Sequence, residues 1–247
     1  MRVLKVVAEG LTTSFRRPHF MHGIQPTFHM PPPATIYGHV CSTLGGIVPP
    51  EGIAFAYHFT SRMGFSDIEH THLVAESSGR LPGTGYPKVL EGTVNPFKRE
   101  LLFQPRLTLY LNRPEWLDAF RNPHYAVVLG RSQDLFTYTS FQTIELQRAE
   151  RAYFEHTLLP YEMAVQAGSG IVELLPRYLD YERKRTPIFA RYLLLEHRIY
   201  SNDFWEFESE AQLSYWVDPT SPKEKDAYMG LVFHTFVGED NETISLA

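Results

Sequence analysis

Residues 2–8 are a mostly apolar run whose side chains alternate between two faces. Leu4, Val6 and Ala8 fall on one side, and Val3, Lys5 and Val7 on the other. This period of two predicts a β-strand. A polar stretch follows, with Thr12, Thr13, Ser14, Arg16, Arg17, His19 and His22. Connections of about 15 residues or more are commonly functional, and Phe15, Phe20 and Phe28 inside this one argue for an ordered loop. Each phenylalanine is either a stacking surface for a base or a plug under the loop. Pro31-Pro32-Pro33 opens a helix, because proline suits the first helical turn. Ile36, Val40 and Leu44 form its apolar stripe with Tyr37 and Cys41 beside them, and Gly45-Gly46 then Pro49-Pro50 end it.

Alternation returns over 53–59, where Ile53, Phe55, Tyr57 and Phe59 oppose Ala54, Ala56 and His58. A run near 68–75 is expected to pair with it as a hairpin. Residues 78–99 are rich in Gly, Pro and Ser and carry Lys88, Lys98 and Arg99, which predicts an extended excursion. Leu107, Leu109 and Leu111 alternate with polar partners in a further strand. Asn112 and Pro114 open a short helix with Leu117 and Phe120 on its inner side. Residues 125–129 predict a short buried strand, stopped by Gly130-Arg131. The order is strand, helix, strand, strand, helix, strand. It predicts an α+β protein with a ferredoxin-like (RRM-like) βαββαβ domain and a long hairpin insertion at about 78–99. That domain is placed at 1–145. Residues 146–247 are expected to form a mostly antiparallel β region, with strands within 171–175, 188–200, 213–217 and 228–237 and a preceding run at 136–146. A short helix is predicted over 149–162. With no repeat or clear linker, the two halves are expected to share an interface.

Composition removes several classes. The 247 residues are 43% hydrophobic and 21% charged, which excludes a disordered or collagen-like chain. A single cysteine, Cys41, leaves no disulfide framework and no multi-cysteine zinc site. No apolar run approaches the roughly 20 residues of a membrane span, and the charged N-terminus does not read as a signal peptide. The expectation is a soluble cytoplasmic protein without a membrane partner. The net charge of −5 is unevenly spread. From residue 200 onward two lysines face ten acids, so residues 1–199 hold 21 Lys and Arg against 18 Asp and Glu. The first 35 residues carry Arg2, Lys5, Arg16 and Arg17 against Glu9 alone. Such a local excess can hold phosphate on an acidic chain, since fields fade over about 10 Å at ordinary salt.

Enzymatic signatures are thin. There is no G-x-S-x-G, no P-loop and no H-E-x-x-H. His19-x-x-His22 with His29, and His70 with His72, are the histidine groupings a metal would need, but no cysteine or carboxylate stands beside the first at ligand spacing. No cofactor is implied. Tyr37, His19, His22, His39 and Lys98 are the side chains available to a general base or acid.

Several segments together resemble one family. They are Phe15-Arg16-Arg17-Pro18, then Pro32-Pro33-Ala34-Thr35-Ile36-Tyr37-Gly38, then Arg99-Glu100-Leu101-Leu102-Phe103. Leu107-Thr108-Leu109-Tyr110-Leu111 and Leu129-Gly130-Arg131-Ser132 complete the set. The ordered set resembles the fifth family of CRISPR-associated (Cas) proteins, a RAMP-type subunit of the type I Cascade complex in antiviral defence, nearest the type I-B branch. The resemblance implies a non-catalytic subunit that grips the 5′ handle of the crRNA. It also implies contacts with the backbone and large subunits, with target DNA met indirectly through the complex. The excursion at 78–99 would be the hairpin called the thumb. The RNA-binding residues so implied are Arg16, Arg17, His19, His22, Tyr37, Lys88, Lys98, Arg99 and Arg131. One branch of the family cuts pre-crRNA without metal, so a metal-independent endoribonuclease is the alternative. That branch carries a Lys-His dipeptide, and this sequence has none.

Overall fold

The computed structural model describes residues 1–20, 23–203 and 214–238. In chain order the main elements begin with β1 (Arg2–Gly10), α1 (Pro33–Leu44), β2 (Ala54–Thr60), β3 (Met63–Arg80) and β4 (Pro87–Phe103). Then come β5 (Arg106–Leu111), α2 (Leu117–Arg121), β6 (Phe136–Glu145), β7 (Gln147–Ala149), β8 (Ala152–Phe154) and β9 (Thr157–Pro160). The chain continues through α3 (Met163–Ala167), β10 (Ile171–Asp180), β11 (Thr186–Leu195), β12 (Ile199–Tyr200), β13 (Tyr215–Asp218), β14 (Tyr228–Leu231) and β15 (His234–Thr235). This is a sheet-rich α+β protein with few helices.

The central sheet runs β6-β1-β5-β2-β15 with every neighbouring pair antiparallel. The period-two pattern of β1 decides what each face meets. Leu4, Val6 and Ala8 enter a core with Ile36, Val40 and Phe120 of the two helices. Val3 faces the other way, into a cluster with Ala56, Tyr110, Tyr153 and Met229. A second sheet, β7-β13-β14-β8-β12, lies over that back face. A third, β9-β11-β10, adds Leu158, Leu175, Tyr192 and Leu194 to the first core, so the interface between the halves is continuous apolar packing. Helix α1 ends where Gly45 turns left-handed at φ 84°, with its N–H on the Ser42 carbonyl. A Cβ there would stand 2.7 Å from the His124 ring, so only glycine fits.

Three expected elements differ. The run at 68–75 does not pair with 54–60. It belongs to an 18-residue strand, β3, paired with the 17 residues of β4. The excursion is thus a regular long hairpin whose turn lies at 81–86, where the Leu81 N–H reaches the Tyr86 carbonyl at 3.1 Å. Residues 125–129 form no named strand. Only an isolated bridge joins Val128 to Leu135, because the chain must turn at once through Gly130 to reach β6, which takes the sheet position instead. Residues 149–162 hold strands, since Tyr153, Phe154, Leu158 and Leu159 are all buried, a density suited to a covered strand. The helix comes later, at Met163–Ala167. No described helix is long and apolar enough to cross a membrane.

Candidate nucleic-acid interface

The polar loop between β1 and α1 is built from two-residue strands. Phe15 and Arg16 pair with Phe28 and Thr27, and Ile24 and Gln25 run parallel to Lys98 and Arg99 of β4. The Lys98 N–H donates to the Gly23 carbonyl at 2.8 Å, and the Thr27 N–H to the Glu100 carboxylate at 3.2 Å. The loop is therefore stitched to the root of the long hairpin. Phe15 and Phe28 are buried and plug the core beneath it, while Phe20 is exposed.

Arg16 and His19 are exposed on this loop, and Lys98 is exposed on β4 beside it. Three of the other named arginines are committed to acids. Arg17 Nη2 donates to Glu173 of β10 at 2.6 Å, and its guanidinium lies 4.6 Å over the Phe28 ring. Arg99 donates to Glu69 across the hairpin. Arg131 makes a two-pronged pair with Asp134, including 2.7 Å from Nη2, and stands 3.7 Å from Glu69. Glu69 thus joins Arg99 and Arg131 and pins the hairpin to the turn before β6. Asp134 is fully buried and also accepts the Ser14 and Arg131 N–H groups. The hydrogen bonds that Arg131 donates to Asp134 hold its guanidinium charged and raise its pKa further. Gly130 is required at this turn, because φ is 100° and a Cβ would meet Thr13 Oγ1 at 2.4 Å.

Tyr37 is not a surface residue. It is 1% exposed, its hydroxyl donates to the Val48 carbonyl, and its ring packs against Tyr178 and Phe236. It sits on the core face of α1 and cannot reach RNA. His39 is also buried, between the Val128 carbonyl at 2.8 Å and the Tyr138 hydroxyl at 2.8 Å, and burial lowers its pKa. Lys88 lies on β4. His22 lies outside the described residues. Among the described residues no three ligating side chains converge as a metal would need.

Residues that pattern reading did not single out lie on the β10–β11 hairpin. Its turn presents Arg183, Lys184 and Arg185, all exposed, with Lys184 and Arg185 left-handed at φ 55° and 61°. Phe189 of β11 faces His19 of the loop, the rings 24° from parallel and their centroids 6.4 Å apart. Three consecutive cations between two alternating runs were the available signal. A second cluster joins the halves: Glu155 accepts Arg198 at 2.8 and 3.0 Å, with His58 3.8 Å away and His156 edge-on to His58.

No family model matches the chain, and no curated protein matches it. Solved structures do. The chain is similar to a chain of a CRISPR RNA-guided surveillance complex at 12% identity and TM-score 0.49, over 78% of this chain and 88% of that one. It is similar to a CRISPR protein from Archaeoglobus fulgidus at 13% identity and TM-score 0.42, over 81% and 91% of the two chains. A chain of the type III-B Cmr-beta complex bound to cognate target RNA gives 13% identity and TM-score 0.42, over 82% and 87%.

Proposed function

We propose that this chain is a non-catalytic, crRNA-binding subunit of a type I CRISPR surveillance complex, holding the 5′ handle of the guide. The observation that carries the reading is the convergence at the root of the long hairpin. The loop between β1 and α1 is hydrogen-bonded to β4 and tethered to β10, and it exposes Arg16 and His19 beside the exposed Lys98 of β4. Single-stranded RNA is held this way, by cations on its phosphates and rings on its bases. In this reading the β6-β1-β5-β2 order with both helices on one face is the ferredoxin-like core of a RAMP subunit of the type I-B branch, and β3–β4 is its thumb. The reading also favours binding over cleavage. Of the side chains available to an acid or base, Tyr37 and His39 are spent in the core.

The test is purification with the native partners and sequencing of any bound RNA. A short RNA of uniform 5′ end is expected. Changing Arg16 and Lys98 together to alanine should weaken binding and reduce the salt slope by about 0.7 for each phosphate no longer neutralised. An assembled complex without RNA overturns the reading. Metal-independent cutting of repeat RNA in EDTA, abolished by His19→Ala, would replace it with the endoribonuclease alternative.

A further inference from the structure

We propose that the β10–β11 hairpin and the loop before α1 together form a stacking surface for a base of a single-stranded polynucleotide, with the hairpin turn holding the adjoining phosphates. The inference deepens the function proposed above and rests on it. It adds a second binding surface, from the opposite half of the chain.

The geometry of the two rings is the starting point. His19 and Phe189 are nearly parallel, and their centroids are 6.4 Å apart. At that distance two nearly parallel rings are in ordinary offset aromatic contact, so the loop and the hairpin together offer one aromatic surface. His19 is exposed, and Phe189 is partly so. Bases stack readily on such rings, whatever their identity.

Both arms are held in place. Phe189 lies within β11, opposite Pro176 of β10 and beside the bulge at Arg177. Its neighbours Ala190 and Tyr192 point into the core, so by strand alternation Phe189 and Arg191 share the outer face. The histidine arm is positioned two residues upstream, where Arg17 is bound to Glu173 of the same hairpin. That ion pair withholds Arg17 from phosphate but fixes the loop against the third sheet.

Charge supplies the rest. Arg185 precedes Phe189 by four residues, about 13 Å along a strand, within the span of a few nucleotides. The left-handed backbone at Lys184 and Arg185 projects consecutive cations from one tight turn. Asp180 engages Arg183, by a 3.6 Å ion pair and a hydrogen bond to its N–H. The turn residues 181–185 hold one acid, Glu182, against three cations. An acidic protein would need the cations but not the parallel rings, and a polynucleotide uses both.

The experiment uses the full chain and fluorescein-labelled octamers of RNA and DNA of one sequence, followed by anisotropy across a salt series. Wild type should bind both, with any preference for RNA reporting the 2′-hydroxyl. His19→Ala, at an exposed site that leaves packing intact, and Phe189→Ala should each weaken binding about tenfold. Phe189→Tyr should retain it. The triple change of Arg183, Lys184 and Arg185 to serine should lower the salt slope by up to about two. Binding indifferent to both His19→Ala and Phe189→Ala overturns the stacking surface, as does a surface that takes up polyglutamate but no octamer. If RNA co-purifies with the assembled complex while these variants change nothing, this inference fails and the handle-binding reading stands. If none co-purifies, that reading fails on its own measurement.

Discussion

His58 shows how burial converts a side chain's chemistry into a stability effect. Burial lowers its pKa to about 4, and the facing His156 adds to the shift. Its ordinary value is 6.5. An unfolded His58 therefore takes up a proton as pH falls through 6.5, while the folded protein resists until about 4. Stability is lost across that window, on the order of 3 kcal/mol for this residue. His39 and His156 are shifted in the same direction by burial and add to the effect. Thermal melts between pH 7 and pH 4 should show a falling midpoint, and His58→Gln should flatten part of that fall. A wild-type midpoint constant over this range would contradict the assignment. The same scale explains which site residues pattern could reveal. Arg16 and Lys98 stand at exposed positions, one on the loop and one on the open face of β4. Arg17, Arg99 and Arg131 were equally basic in the sequence, but their partners Glu173, Glu69 and Asp134 are fixed by the fold. Two of those three pairs link residues from different elements, and no local pattern encodes such a meeting.

At the scale of elements, the hairpin β3–β4 was legible as an excursion and not as two long strands. Gly, Pro and Ser dilute its alternation, and its pairing partner is recognisable only once the turn at 81–86 is known. Its outer part contributes little to the core. Ile68, Leu73, Val74 and Val94 are all exposed by half or more, whereas Leu101 and Leu102 at the root are buried. Thr71 and Asn95 face each other across the ladder. Removing residues 72–94 and closing the gap with Asn-Gly should therefore leave a folded protein, its melting midpoint within a few degrees of wild type, because the deleted segment adds nothing to the described core. RNA retention in the assembled complex should fall. A collapsed fold would show that the outer hairpin supports the body. The misplaced fourth strand has a related cause. Residues 125–129 and 136–145 both carry apolar residues, and the buried Asp134 pulls the chain into a turn between them, so the longer segment wins the sheet position.

For the whole molecule, the decisive fact is that the central sheet is covered on both faces. Val3 and Val7 opposite Leu4 and Val6 were the sequence sign of burial on both sides. What covers the back face was not legible, because the covering strands come from beyond residue 146. The seam carries a buried polar link. Lys5 Nζ donates to Asp218 at 2.6 Å, Tyr110 donates to the same carboxylate at 2.7 Å, and Asp218 is fully buried. Burial pushes the Asp218 pKa up, but the hydrogen bonds from Lys5, Thr220 and Tyr110 outweigh it and hold the group ionised, with a net lowered pKa. Asp218→Ala leaves Lys5, whose side chain is only 11% exposed, without this carboxylate. Removing one member of such a pair costs about 3–5 kcal/mol, which for a chain of this length is a fall of roughly 10 °C in melting midpoint. Adding Lys5→Met should recover part of that fall, since it removes the stranded charge. Residues 1–145 alone would bare Val3, Ala56, Tyr110 and Ile144 to water, and the fragment should aggregate where the whole chain does not. A soluble, cooperatively melting 1–145 fragment would show that the second half is an accessory. If it aggregates, any RNA surface on this chain lies at its edges and hairpins, since the sheet face that a ferredoxin-like domain would otherwise offer is already occupied by the protein itself.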